Sequence, residues 1–279
     1  MPATIPTVEP EAADDARSHA ELACYERCPK KYELEHELKA GQRPNTARPH
    51  AKALRAAGQH WERSNRTAAR DEVREVFLTV YWGEIERLRD EESDLGRWLG
   101  SGEIEPVIDI RRRERIGLED VNEYIDYYTQ RPSERPWTLP DGEPAIAHQI
   151  RVTLGGVSVE ATIDMILDHP EHDVIVRNTR PGRAPSDTHL LCVYAVSANV
   201  KYRTTIRHGD FWQGKTGRPS KLRLVAGHGG EECTVDYLTR RFVALDQAIR
   251  AGRFPARPGA QCGRCSFNLR CDEGRPFAQ

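Results

Sequence analysis

The sequence predicts an α/β protein, a helical first half running into a sheet-and-helix core. Three observations carry this. Up to about residue 130 the segments rich in helix formers carry apolar residues at helical spacing. Near residue 145 the texture changes to short segments rich in β-branched residues. Beyond that point strand-like and helix-like segments follow one another.

Taken in order, residues 1–17 are rich in Pro, Ala and acids without periodicity, and read as a disordered lead-in. From Ser18 to about Leu38 the pattern is helical, with Leu22, Tyr25, Tyr32 and Leu34 among charges; GQRPNTARPH (41–50) is a loop. Residues 51–95 are mostly helix formers, with Val73, Val76, Phe77, Val80, Tyr81, Ile85 and Leu88 as apolar positions. A third helix is expected over 117–130, closed by Pro132 and Pro136. HQIRVTLGGVSVEATIDMIL reads as a hairpin turning at Gly155-Gly156. HPEHD (169–173) is a turn and VIVRN (174–178) a third strand, ended by Pro181 and Gly182. An apolar helix (188–200), a strand in KLRLVAG and an amphipathic helix (235–252) complete the core. The organisation expected is a lead-in (1–17), a helical region (18–140), an α/β core (141–254) and a cysteine-bearing tail (255–279).

Hydrophobic content of 38% against 30% charged residues fits a globular chain rather than a disordered one. No apolar run is long enough to cross a bilayer and no signal-peptide pattern opens the chain, so a cytoplasmic protein without a membrane partner is expected. A net charge of −2 does not advertise nucleic-acid binding, but basic residues dominate Arg177 to Arg183 and Lys201 to Arg223. Within the second run, Phe211 and Trp212 stand beside Lys215, Arg218 and Lys221, a mixture found on single-strand-binding surfaces and also in ordinary turns with a buried aromatic.

Seven cysteines in a chain expected in the cytosol do not suggest a disulfide framework. Cys192 and Cys233 stand alone. Cys262-x2-Cys265 lets two thiolates reach one metal centre from a tight turn, and Cys271 follows. Three thiolates are an incomplete set for zinc or for an iron–sulfur cluster, which usually take four ligands. Cys28, in Cys28-Pro29-Lys30-Lys31-Tyr32, is the best fourth, with Cys24 one turn earlier as its rival. Spacing alone does not decide between zinc and iron–sulfur.

A Cys-Pro-x-Lys/Arg-Tyr element near the start and Cys-x2-Cys-x5-Cys at the end resemble the iron–sulfur nucleases of the PD-(D/E)XK superfamily, including RecB-like and AddB-like exonucleases and the CRISPR-adaptation exonucleases. The likeness runs from about residue 18 to 271. It implies a restriction-endonuclease-like core, a mixed sheet flanked by helices, with a helical N-terminal part. It also implies a structural [4Fe–4S] cluster on Cys28, Cys262, Cys265 and Cys271, in preference to zinc and to Cys24, joining the two terminal segments. By the same resemblance His60 is the helix histidine of a Mg²⁺ or Mn²⁺ site and Asp164 its first acidic ligand. The strand that carries Asp-x-Lys in the family has Asn178-Thr179-Arg180 here. Tyr194 matches the tyrosine of the family's Gln-x-x-x-Tyr helix, with Leu190 in place of the glutamine.

Asn178 supplies a weaker ligand to a hard cation than a carboxylate. Arg180 does not replace a compact lysine beside an attacking water, although it suits a phosphate. The expectation is a DNA-binding member of the nuclease family, catalytically impaired, acting on single strands or ends in repair, recombination or defence, with a protein partner in a DNA-processing complex. Arg180, Lys215 and Arg218 are the expected DNA contacts. The alternatives are an active Mg²⁺- or Mn²⁺-dependent single-strand exonuclease with a rewired site at His60, Asp164 and Asn178, and a zinc-stapled interaction module.

Overall fold

Strand β4 (Val157–His169) is the spine on which the other elements assemble. The computed structural model describes residues 16–225 and 233–277, so most of the expected lead-in and the last two residues of KLRLVAG lie outside the described residues. Along one edge of β4 run β3 (Ile146–Leu154) and the two-residue β2 (Arg135–Pro136), both antiparallel. Along the other lie β1 (Arg17–Ser18), parallel, and β5 (Asp173–Arg180), antiparallel. β6 (His208–Gln213) extends the sheet in parallel with β5, and β7 (Arg218–Pro219) and β8 (Arg223–Leu224) pair with it. One mixed sheet therefore carries all these strands. The hairpin turns where the sequence placed it. Gly155 and Gly156 have φ of +59° and +82°, which favours glycine at both positions.

Helices cover both faces. α6 (His189–Tyr202) crosses from β5 to β6 and packs with α7 (Val235–Arg250) on one face, around Ile150, Val159, Ile163, Val176 and Phe242. α3 (Ala47–Arg63), α4 (Arg70–Glu91) and α5 (Pro106–Thr129) pack on the other, against Met165, Leu167, Ile175 and Trp212. The three long helices before residue 140 thus form one layer over the sheet. No helix among the described residues is long and apolar enough to cross a membrane.

Several boundaries differ from the sequence reading for local reasons. The helical stretch 51–95 breaks after Arg63, where the Ser64 hydroxyl accepts from Thr67 N and Ala68 N and Asn65 and Arg66 take positive φ. The third helix begins eleven residues earlier than expected, at Pro106, a residue suited to a first helical turn. The 18–38 stretch divides at Cys28 into α1 (His19–Arg27), opened by a Ser18–Glu21 capping box, and α2 (Pro29–Tyr32), followed by a π-turn. β6 went unread because HGDFWQ lacks alternation. Its Phe211 and Trp212 are both fully buried, on opposite faces of the sheet, so they form no exposed stacking platform.

The phase of β4 slips at Asp164. Val159, Ala161 and Ile163 face α6 and α7, whereas Met165 and Leu167 face the α3–α5 layer and Ile166 returns to the first face. Ala147, in the neighbouring stretch of β3, has φ +48°. Such irregularities re-aim a side chain, here that of Asp164.

Next to this point Arg177, 1% exposed, ties three elements together. Its Nε and Nη2 donate to the two Asp210 oxygens at 2.6 and 2.7 Å, and its Nη1 donates to Glu134 at 2.6 Å and to the Tyr128 hydroxyl at 3.0 Å. Removing the guanidinium would strand two buried carboxylates. Arg177→Ala is expected to cost about 3–5 kcal/mol, read as a lower urea midpoint. A loss below about 1 kcal/mol, the range of a surface pair, would contradict this role.

Candidate functional site

The C-terminal end of β5 and the re-aimed residue of β4 bring Asp164, Asn178, Thr179 and Arg180 together. Asn178 Nδ2 donates to Asp164 Oδ2 at 2.7 Å, and the Thr179 N–H donates to the same oxygen at 2.9 Å. The Asn178 side chain also bonds to the hydroxyl of Tyr194, which α6 buries against the sheet. Burial pushes the Asp164 carboxyl up to about 6, against the opposing pull of Arg55, the Thr179 N–H and Arg180. Burial likewise raises Tyr194, so its hydroxyl stays protonated.

The crevice beside Asp164 is lined by Arg55, Gly58, Gln59 and Glu62 of α3, together with Tyr124, Ile146, Met165 and Thr179. Its volume is ≈ 10 Å³, about the space of one water. Gly58 lets α3 approach α5 closely, since a Cβ there would lie 3.2 Å from the Tyr124 ring, which would have to shift by a few tenths of an ångström. Glu62 is bound to Arg66 through both oxygens, at 2.9 and 3.2 Å, and to Tyr124.

His60 is not in this crevice. Its Nε2 lies 2.7 Å from Glu72 Oε1 on the outer side of α3, facing the start of α4. The helix face that meets the sheet is set by 55, 58, 59 and 62, the i, i+3, i+4, i+7 stripe, and His60 lies about 200° around the helix from Gly58. The sequence reading followed the residues nearest Gly58 and so missed Arg55, which this stripe could have revealed. Of the residues expected at the centre, Asp164, Asn178 and Tyr194 are joined by hydrogen bonds, Arg180 adjoins them, and His60 is elsewhere.

Lys215 and Arg218 are exposed just beyond β6, at the same end of the sheet as Arg180, which stands opposite Gln213 in the parallel register. The Lys215 N–H donates to the Pro181 carbonyl at 2.9 Å, linking the two strand ends. Arg180 itself lies over the Phe211 ring, 5.5 Å from its centroid.

Cys28, Cys262, Cys265 and Cys271 line one cavity of ≈ 260 Å³ with Arg27, Lys31, Arg257 and Arg264. Cys28 sits in extended backbone at the break between α1 and α2, which turns it out of the helix. The tail folds through tight turns, with Cys265 N to Cys262 O at 3.1 Å and Gly274 N to Cys271 O at 3.1 Å, and backbone N–H groups of Phe267 and Gly274 address the Cys265 and Cys271 sulfurs. Gly274 passes 3.4 Å from the Cys271 sulfur and 3.7 Å from the Cys262 Cβ, measured from where its own Cβ would stand. Burial raises the Cys265 and Cys271 thiols. Cys24 does not line the cavity; its sulfur lies 3.7 Å from Glu35 Oε2. Cys192 and Cys233, read from the sequence as lone cysteines, are joined as a disulfide with Cα atoms 5.4 Å apart, because α6 packs beside the entry to α7.

The raised pKa of Asp164 has a consequence for stability. The folded carboxyl titrates near 6 and the unfolded one near 3.8, so the folded state holds the extra proton between them. This group's contribution to stability is full below about pH 4 and falls as the pH rises towards 6, by on the order of 3 kcal/mol. Asp164→Asn keeps an acceptor for Asn178 and Thr179 without the charge. Its stability relative to the unmodified protein should therefore grow from pH 4 to 6.5 and then level off, as read by urea unfolding across that range. A difference that stays constant would show an unshifted carboxyl.

The comparisons with known proteins agree with this architecture. The family model described as the PD-(D/E)XK nuclease superfamily matches residues 16–272. The chain is 27% identical over 264 residues to the Gene 69 protein of Mycobacterium phage D29, covering 91% of this chain and 96% of the relative. It is 28% identical over 280 residues to the Gene 69 protein of Mycobacterium phage L5, covering 91% and 95%. With the match extending over nearly all of its length, the chain belongs to the PD-(D/E)XK nuclease superfamily.

Proposed function

We propose that the protein binds DNA, as single strands or ends, and cleaves it weakly or not at all. It would do so in repair, recombination or defence, within a DNA-processing complex, on a domain stapled by a structural [4Fe–4S] cluster. The observation that carries this reading is the state of Asp164. One of its oxygens already accepts from both Asn178 and Thr179, and its near neighbours Arg55 and Arg180 are cations. The other carboxylate of the crevice, Glu62, is held by Arg66. A hydrated Mg²⁺ or Mn²⁺ needs several oxygen ligands and space for its waters. One engaged carboxylate and a crevice of ≈ 10 Å³ do not fit that ion, so no step of a metal-assisted hydrolysis is assigned to these residues. What remains at this end of the sheet is a set of cations, Arg180, Lys215 and Arg218, suited to a phosphate backbone.

For the cluster, the donor set fits. Four thiols line one cavity, backbone N–H groups face two of the sulfurs, and Arg27, Lys31, Arg257 and Arg264 offset the negative charge of a thiolate-ligated centre. Zn–S bonds of about 2.3 Å would draw four thiolates tightly around a single zinc ion. A cavity of ≈ 260 Å³ suits a larger group. Bound there, the cluster would tie residue 28 to residues 262–271.

Two measurements test these claims. Anaerobically purified protein should be brown with absorbance near ~400 nm; Cys265→Ser should lose that colour and Cys24→Ser should keep it. A coloured Cys265→Ser protein would remove the ligand assignment, and a colourless but zinc-loaded native protein would favour the interaction module. The second is a cleavage and retention assay on labelled single-stranded DNA with Mg²⁺ or Mn²⁺. Retention with little cleavage is expected, and Asn178→Asp with Arg180→Lys should raise Mn²⁺-dependent cleavage, by at most ~10²-fold while Arg55 remains. Rapid cleavage by the unmodified protein would establish the exonuclease reading instead.

A further inference from the structure

We propose that Cys24, Glu35 and His36 form a site for a single Zn²⁺ ion, separate from the four-cysteine cavity, that braces the chain on both sides of Cys28. One ligand atom from each residue, the Cys24 sulfur, a Glu35 oxygen and a His36 ring nitrogen, lies within 4.8 Å of the other two. A thiol, a carboxylate and an imidazole together suit a borderline cation such as zinc, whereas Mg²⁺ takes oxygen ligands. Four-coordinate zinc, with ligand bonds of about 2.0–2.3 Å, holds its ligand atoms about 3.3–3.6 Å apart. Closing from 4.8 Å to that spacing needs at most about 1.5 Å of movement, within reach of side-chain rotation. Three protein ligands leave the fourth position to water.

The local backbone explains why these residues meet. Cys24 lies in the last turn of α1, and its carbonyl accepts from the Cys28 N–H at 3.0 Å, where the helix breaks. Glu35 and His36 lie in the π-turn Glu33–Glu37 that follows α2. A π-turn has more residues per turn than an α-helix, so neighbours stand closer around its axis, and both side chains reach the same thiol. His36 is oriented by its stack on Tyr32, with ring centroids 4.6 Å apart, and Tyr32 is 1% exposed and donates to Glu21 at 3.1 Å. Neither ring nitrogen of His36 has a hydrogen-bond partner among the described residues, so a lone pair is free to ligate. Lys31 and Arg48 stand 3.7 and 3.9 Å from the Glu35 oxygens, loose pairs that hold the carboxylate weakly. On binding, the Cys24 thiol gives its proton to solvent and a Zn–S bond replaces S–H. The thiolate and the Glu35 carboxylate then match both charges of the ion. None of the three ligands lines the four-cysteine cavity, so the site stands whichever metal those cysteines take. Cys24 precedes Cys28 and the π-turn follows it, so the ion fixes the segment that presents Cys28 to that cavity.

The test is the zinc and iron content of the full-length protein, purified anaerobically from zinc-supplemented medium and passed over a chelating resin, together with zinc X-ray absorption. The unmodified protein should keep about one zinc per chain, ligated by one sulfur at about 2.3 Å and by nitrogen or oxygen atoms at about 2.0–2.2 Å. Cys24→Ser and His36→Ala should each lose that zinc, with affinity down at least tenfold in competition with a chromophoric chelator, and Glu35→Gln should lose less. Iron content and the ~400 nm absorbance should not change in any of the three. Zinc retained in full by Cys24→Ser, zinc held by four sulfurs, or an unmodified protein without zinc overturns the site. Loss of iron from Cys24→Ser also overturns it, by placing Cys24 among the ligands of the cavity. The absorption spectrum is read on the unmodified protein, so a variant that fails to fold leaves the test decisive.

Discussion

The buried guanidinium of Arg177 is the constraint on which the candidate site depends. Its four hydrogen bonds join β5 to Asp210 on β6, to Tyr128 on α5 and to Glu134 just before β2. Side chains alternate along a strand, so fixing Arg177 towards the α3–α5 layer sends Asn178 and Arg180 to the opposite side. A slip of one residue in β5 would take the guanidinium away from Asp210, Glu134 and Tyr128 and drive it into the buried face under α6. Charge pairing, more than apolar packing, selects this register, because the flanking Val174, Ile175 and Val176 would suit either phase.

A second constraint acts on Asp164 and Asn178. Two adjacent buried carboxylates hold together only around a cation or a shared proton. With Asn at 178 the pair is stable by itself, since an amide N–H meets the carboxylate at 2.7 Å and Tyr194 closes the network. Arg55 and Arg180 add to this by pulling on the same carboxylate.

The nuclease-family core was legible because its signals are local. Gly155-Gly156 marked the hairpin, and the ten-residue cysteine cluster marked the tail. Asp164 and Asn178 were placed by the family resemblance and meet as hydrogen-bonded neighbours. What was not legible depends on tertiary contacts. His60 and Arg55 are five residues apart on one helix, and the packing of Ala53, Leu54, Ala57, Gly58 and Trp61 into the core decides which faces the sheet. β6 carries no alternation, because both of its faces are buried. The Cys192–Cys233 pair spans 41 residues with no spacing signature.

The ends of the chain obey the same rule of charge pairing. Arg17, which opens β1, donates to Asp246 of α7 at 3.1 and 2.9 Å, and Arg43 reaches Asn268 of the tail at 3.1 Å. These bonds help to hold Cys28 and residues 262–271 around one cavity. Arg27, Lys31, Arg257 and Arg264 line that cavity with the four cysteines. Around Asp164 the buried framework ions are matched within the chain, Glu62 by Arg66 and Arg177 by Asp210 and Glu134, while Arg55 and Arg180, without side-chain hydrogen bonds among the described residues, pull on the single acid.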